Sequence, residues 1–115
     1  MADLAHRSLP DVPFAPIFAA LGDETRLRLV ARLGVDGPLS ISTLTSETHV
    51  TRQAVTKHLQ ILADAGIVRD FRRGRERMWE LERRRLEEAR GYLDVIGRQW
   101  DDALERLRAA VEDAP

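Results

Sequence analysis

Arg52, Thr56 and Gln60 recur at every fourth position, with Gln53 and Lys57 beside them, so a helix through this segment gathers five hydrogen-bonding side chains on one strip. Arg and Lys donate to guanine O6 and N7, Gln pairs with the adenine edge, and Thr reaches a phosphate or a thymine methyl group. That strip has the chemistry of a base reader, and the bland alternative is a solvated helix face. A second group lies downstream, Arg72-Arg73-Gly74-Arg75 with Arg77 close by. Guanidinium groups crowded about a glycine turn do not pack; they belong in solvent or against an anion such as duplex phosphate or a narrow minor groove. Here the alternative is that Arg69, Arg72 and Arg73 pair with Asp70 and Glu76 at the surface, where such pairs stabilise little.

The distribution of charge supports the anionic partner. The chain of 115 residues has a net charge of −1, yet residues 52–85 hold 10 basic against 5 acidic side chains, while residues 86–115 hold 4 against 8. A near-neutral protein binds a polyanion when its cations share one surface, because the local field governs counter-ion release.

The elements that must carry these groups follow from periodicity. Residues 1–12 mix small, polar and Pro residues without a period and read as a flexible N-terminal arm, with residues 13–115 as one domain. Phe14, Ile17, Phe18 and Leu21 mark a short helix, with Pro13 in its first turn and Gly22 as its stop. Asp23 caps a second helix carrying Leu27, Leu29, Val30, Ala31 and Leu33, expected to be mostly buried and to end at Gly34. Leu39 begins a very short strand, and Ser40 caps a brief helix through Leu44 and Thr45. Thr51 caps the helix from Arg52 to Ala65, whose Val55, Leu59 and Leu62 form an apolar seam opposite the polar strip, with Gly66 at C′. Two short helices joined by so tight a turn are the layout of a helix-turn-helix. Ile67 to Phe71 and Glu76 to Leu81 read as a β-hairpin whose tip is the Arg72–Arg75 turn. From about 83 to 112 one long helix repeats Leu86, Leu93, Trp100 and Leu107 every seven residues, with Ala89, Ile96, Ala103 and Ala110 three further on. That heptad asks for a partner surface, and a chain of this size gains from one.

Other chemistries find little support. The sequence has no Cys, which excludes disulfides, thiolate metal sites and thiol nucleophiles and makes the cytoplasm the expected compartment. His6, His49 and His58 are scattered, and no Ser/His/Asp grouping, paired-carboxylate cleft or Gly-rich phosphate loop stands out, so an enzyme is not expected. No stretch has the apolar length of a membrane helix.

Several runs together resemble the ArsR-type winged-helix repressors: ALGDETRLRLVARL, then VTRQAVTKHLQIL over residues 50–62, then AGIV and GRERMWEL. The likeness spans Pro13 to about Val111. It implies a homodimer joined through the first and last helices, each subunit presenting one winged helix to a palindromic operator. Metal-sensing members carry Cys-x-Cys at the start of the third helix; the matching positions here are Ser40 and Ser42. Another subset uses His and carboxylates on the last helix, where this chain has Asp94, Asp101, Asp102 and Glu105 but no His.

The expected fold is therefore α+β, mostly α, a winged helix-turn-helix with a long C-terminal dimerisation helix. The expected function is a dimeric, sequence-specific regulator that binds double-stranded DNA and represses by operator occlusion, resembling the metal-independent subset, with no cofactor or metal. Arg52, Gln53, Thr56, Lys57, Gln60, Arg72, Arg73, Arg75 and Arg77 are the expected DNA contacts. Phe14, Phe18, Leu86, Leu93, Ile96, Trp100 and Leu107 are the expected dimer contacts. Two alternatives stand beside it: a winged helix used only to bind an acidic protein, and a regulator admitting an apolar ligand between Phe14, Phe18, Tyr92 and Trp100. The residues designate no effector.

Overall fold

A computed structural model describes residues 13–113; the expected arm over 1–12 lies outside the described residues. The chain forms α1 (Ala15–Leu21), α2 (Glu24–Asp36), β1 (Leu39–Ser40), α3 (Ile41–Ser46), α4 (Arg52–Asp64), β2 (Val68–Arg73), β3 (Glu76–Leu81) and α5 (Arg83–Glu112). The sheet is antiparallel in the order β1-β3-β2, with Leu39 opposite Trp79 and Arg73 opposite Glu76. Among the described residues no helix is long and apolar enough to cross a membrane.

Side-chain caps set three of the helix starts. Asp23 accepts from the Arg26 amide at 3.0 Å, Ser40 from Thr43 at 3.1 Å and Thr51 from Ala54 at 3.1 Å, each satisfying an amide that the first helical turn leaves unpaired. Ile17, Leu29, Leu33, Leu44, Val55, Leu59, Leu62 and Trp79 then meet in one core. The α4 seam is fully enclosed, so its opposite strip faces outward by necessity.

Four details differ from the sequence reading. Pro16, not Pro13, occupies the first turn of α1, because Phe14 holds the N-cap position. The second helix does not end at Gly34: it runs to Asp36, its last turn tied by the Arg32–Asp36 pair, and Gly37 closes it with φ +76. Nor is that helix mostly buried. Only Leu29 and Leu33 are enclosed, while Leu27 and Val35 are 50% and 83% exposed, since the core covers a single side. Finally, Arg72 and Arg73 belong to β2, and the turn shrinks to Gly74-Arg75; Gly74 at φ +64 supplies the left-handed residue that a two-residue hairpin needs.

The long helix divides by role. Ala89 is buried and Leu86 packs on the core, so this end of the heptad serves its own chain. Phe14 and Phe18 lie 5.6 and 6.3 Å from Tyr92, measured between ring centroids, which docks α1 on α5. From Gly97 to Asp113 every residue is exposed, Trp100, Leu104, Leu107 and Val111 included.

Candidate nucleic-acid interface

The turn between α3 and α4 is held from outside. Glu47 receives Arg32 through two hydrogen bonds of 2.7 Å, and Thr48 donates to the carbonyls of Thr45 and Val50. The Arg32 hydrogen bonds and charge keep the Glu47 carboxyl below the usual carboxylate range, despite some desolvation. α4 therefore leaves a braced turn, with its N-terminus directed by the Thr51 cap.

Arg52, Gln53, Lys57 and Gln60 are all exposed along α4. Thr56 donates its hydroxyl to the Arg52 carbonyl at 2.9 Å, and Gln60 donates to Asp64 at 3.0 Å. The remaining polar tips are unencumbered among the described residues, and they sit in the sector that the core cannot reach.

Beside the first turns of α4 the hairpin closes a basin of about 340 Å³, lined by Ser40, Ile41, Ser42, Arg52, Thr56, Arg72, Arg75, Glu76 and Arg77. Four of these are Arg and one is an acid. Strand alternation explains the grouping: Asp70, Arg72, Arg77 and Trp79 share the face of the hairpin turned toward the helices. Arg77 is already engaged there, donating to Asp70 at 2.7 Å with its guanidinium 4.6 Å from the Trp79 ring centre. Arg52, Arg72 and Arg75 have no carboxylate partner among the described residues. Arg73 points to the other face, 5.7 Å from the Phe71 ring, and Arg69 pairs with Glu80 at 2.8 Å and Glu82 at 3.6 Å. The alternative in which Arg69, Arg72 and Arg73 pair with Asp70 and Glu76 is not what forms: Arg77 takes Asp70, and Arg69 pairs with Glu80 and Glu82.

The structure thus brings Arg52, Thr56, Arg72, Arg75 and Arg77 to one basin, leaves Gln53, Lys57 and Gln60 on the open strip, and sets Arg73 apart. Sequence reasoning missed Ser40 and Ser42 as lining residues. The signal was available, since the helix before a reading helix crosses the nucleic-acid backbone in this layout. Among the described residues no group of three or more His, Asp or Glu is placed to hold a metal ion.

A helix-turn-helix domain family matches residues 21–70. The chain is 39% identical over 85 residues to the HTH-type transcriptional regulator Rv2034 of Mycobacterium tuberculosis, covering 74% of this chain and 76% of that one. It is 40% identical over 68 residues to the HTH-type transcriptional regulator YuzN of Bacillus subtilis, covering 54% and 74%. An ArsR-like transcriptional regulator from Rhodococcus sp. RHA1 has a similar solved structure, with TM-score 0.75 and 35% identity over 88% of this chain and 94% of that one. With its helix order, its hairpin wing and these relatives, the chain belongs to the ArsR-type family of winged helix-turn-helix, DNA-binding transcription regulators.

Proposed function

We propose that the protein acts as a homodimer on a palindromic operator, reads bases through Arg52, Gln53, Thr56, Lys57 and Gln60, and represses by occluding the promoter. The observation that carries this reading is the basin, where the start of the reading helix and the wing place Arg52, Arg72 and Arg75, without carboxylate partners among the described residues, around a space of about 340 Å³. A phosphate strand beside a major groove is the anion of matching shape, and Arg73 at the tip adds a further contact on the outer face. Arg77 serves chiefly to shape the basin through Asp70 and Trp79.

The dimer rests on the exposed half of α5. Leu93, Trp100, Leu104, Leu107 and Val111 are each more than half exposed, an apolar stripe longer than a lone soluble chain leaves in water. Ile96 extends it toward Tyr92. The aromatic ligand pocket is disfavoured, because Phe14, Phe18 and Tyr92 fill one another's faces and Trp100 stands two turns away along α5. With Ser40 and Ser42 where thiolates would stand, regulation proceeds without a Cys-based metal site.

Selection of bound fragments from a random duplex pool, run with and without transition metals, tests this reading. The expected product is an inverted repeat with half-sites one helical turn apart, insensitive to metal. Enrichment of no sequence, or of a single asymmetric site, would contradict it.

A further inference from the structure

Arg26, on α2, reaches both α1 and α4. Its Nε donates to the carbonyl of Ala20 at 2.5 Å, and its Nη1 lies 3.2 Å from Nδ1 of His58, which is on the reading helix. A guanidinium only donates, so His58 Nδ1 is the acceptor and the ring carries its proton on Nε2. Asp23 accepts from the Arg26 amide and lies 3.9 Å from His58 Nδ1. The hydrogen bond from the Arg26 amide and the Arg26 charge hold the Asp23 carboxyl below its ordinary value.

The Ala20 carbonyl is in the last turn of α1, where carbonyls have no helical partner. α1 is in turn docked on α5 by Phe14, Phe18 and Tyr92. Where α1 and α4 meet, Pro16, Ala19 and Ala20 face Ile61, Asp64 and Ala65 across a shallow groove of about 330 Å³. Ile17 of α1 shares the core with Leu59 and Leu62 of α4, and the Ala20–Arg26–His58 link adds a polar tie across the two helices.

We propose that Arg26 is a positioning residue that sets the inclination of α4 to the α1–α5 face and so selects the half-site spacing the dimer accepts. This rests on the dimeric, DNA-reading function proposed above. α4 has 13 residues and is about 20 Å long, so a tilt of about 10° about its middle moves its first turn by about 1.7 Å, and two copies together change the half-site separation by about 3.4 Å, one base-pair step. Loss of the link thus shows as loss of spacing discrimination.

The test is a set of duplexes carrying the selected half-sites at the preferred spacing and at one base pair more or less, together with a single half-site duplex, titrated by fluorescence anisotropy. Arg26→Met keeps the aliphatic stem and removes the donors. It is expected to weaken binding at the preferred spacing about tenfold, as for a charge-assisted hydrogen bond, and to bring the three spacings within threefold of one another. Single half-site affinity should stay within threefold of the parent protein. His58→Asn, whose Oδ1 takes the place of Nδ1, should retain the spacing profile, whereas His58→Phe should flatten it. These two decide the matter if Arg26→Met does not fold. A parental spacing profile in Arg26→Met or His58→Phe, or equal losses on single and paired half-sites, overturns the assignment. A parent protein that binds no duplex overturns the underlying reading as well.

Discussion

Arg52 and Gln53 open the reading helix, and their side chains are exposed where a base edge would lie. Replacing either with Ala is expected to cost about 1–3 kcal/mol on the cognate base pair and to relax preference at that position, as measured by competition with single-mismatch operators. Arg72 and Arg75 line the basin, and Ala there should weaken all duplexes alike and lower the salt slope by about one per residue. Retention of operator binding by both pairs would refute this docking. Glu47 gives a pH prediction. Its folded carboxyl titrates below its unfolded value because Arg32 holds it, so in that window the unfolded chain binds more protons and stability rises with pH. The contribution is present above the unfolded value and is lost as pH falls through the folded one. Glu47→Gln should therefore flatten the acid limb of the urea midpoint below about pH 5; an unchanged limb would show that the pair does not brace the turn.

At the scale of elements, the join between α4 and β2 depends on Gly66. It has φ +78, and a Cβ there would lie 3.1 Å from Arg85 Cγ, so Gly66→Ala should destabilise by about 1 kcal/mol or more in urea unfolding. Gly91→Ala, with nothing within 4 Å of the added carbon, should not destabilise the isolated chain. Equal effects would refute the distinction. The caps at Asp23, Ser40 and Thr51, the α4 seam and the hairpin were legible in the sequence because each rests on a local rule of spacing or cap chemistry. The end of α2 was not, since Gly34 and Gly37 are equally good stops until the Arg32–Asp36 pair is seen. The side of the hairpin that each Arg takes depends on the register, and only Trp79 entering the core decides it. Arg26 and His58 are 32 residues apart, beyond the reach of any periodicity.

For the whole molecule, α5 separates two tasks. Its first turns close the core, and its remaining length, part of a helix about 45 Å long, presents an apolar stripe to water. Leu93→Glu or Trp100→Glu should yield monomers in sedimentation velocity while leaving the helical circular dichroism signal in place; an unchanged dimer would refute the stripe as the interface. Two copies so joined would give two basins and two reading helices to one duplex, and the cations there would make binding a counter-ion exchange. Titration of the selected operator at 50 and 200 mM salt tests this most directly. With about 6–10 phosphates neutralised by the dimer, affinity should fall by about 10³–10⁵ between these concentrations. No binding at 50 mM, or an affinity indifferent to salt, would contradict the account.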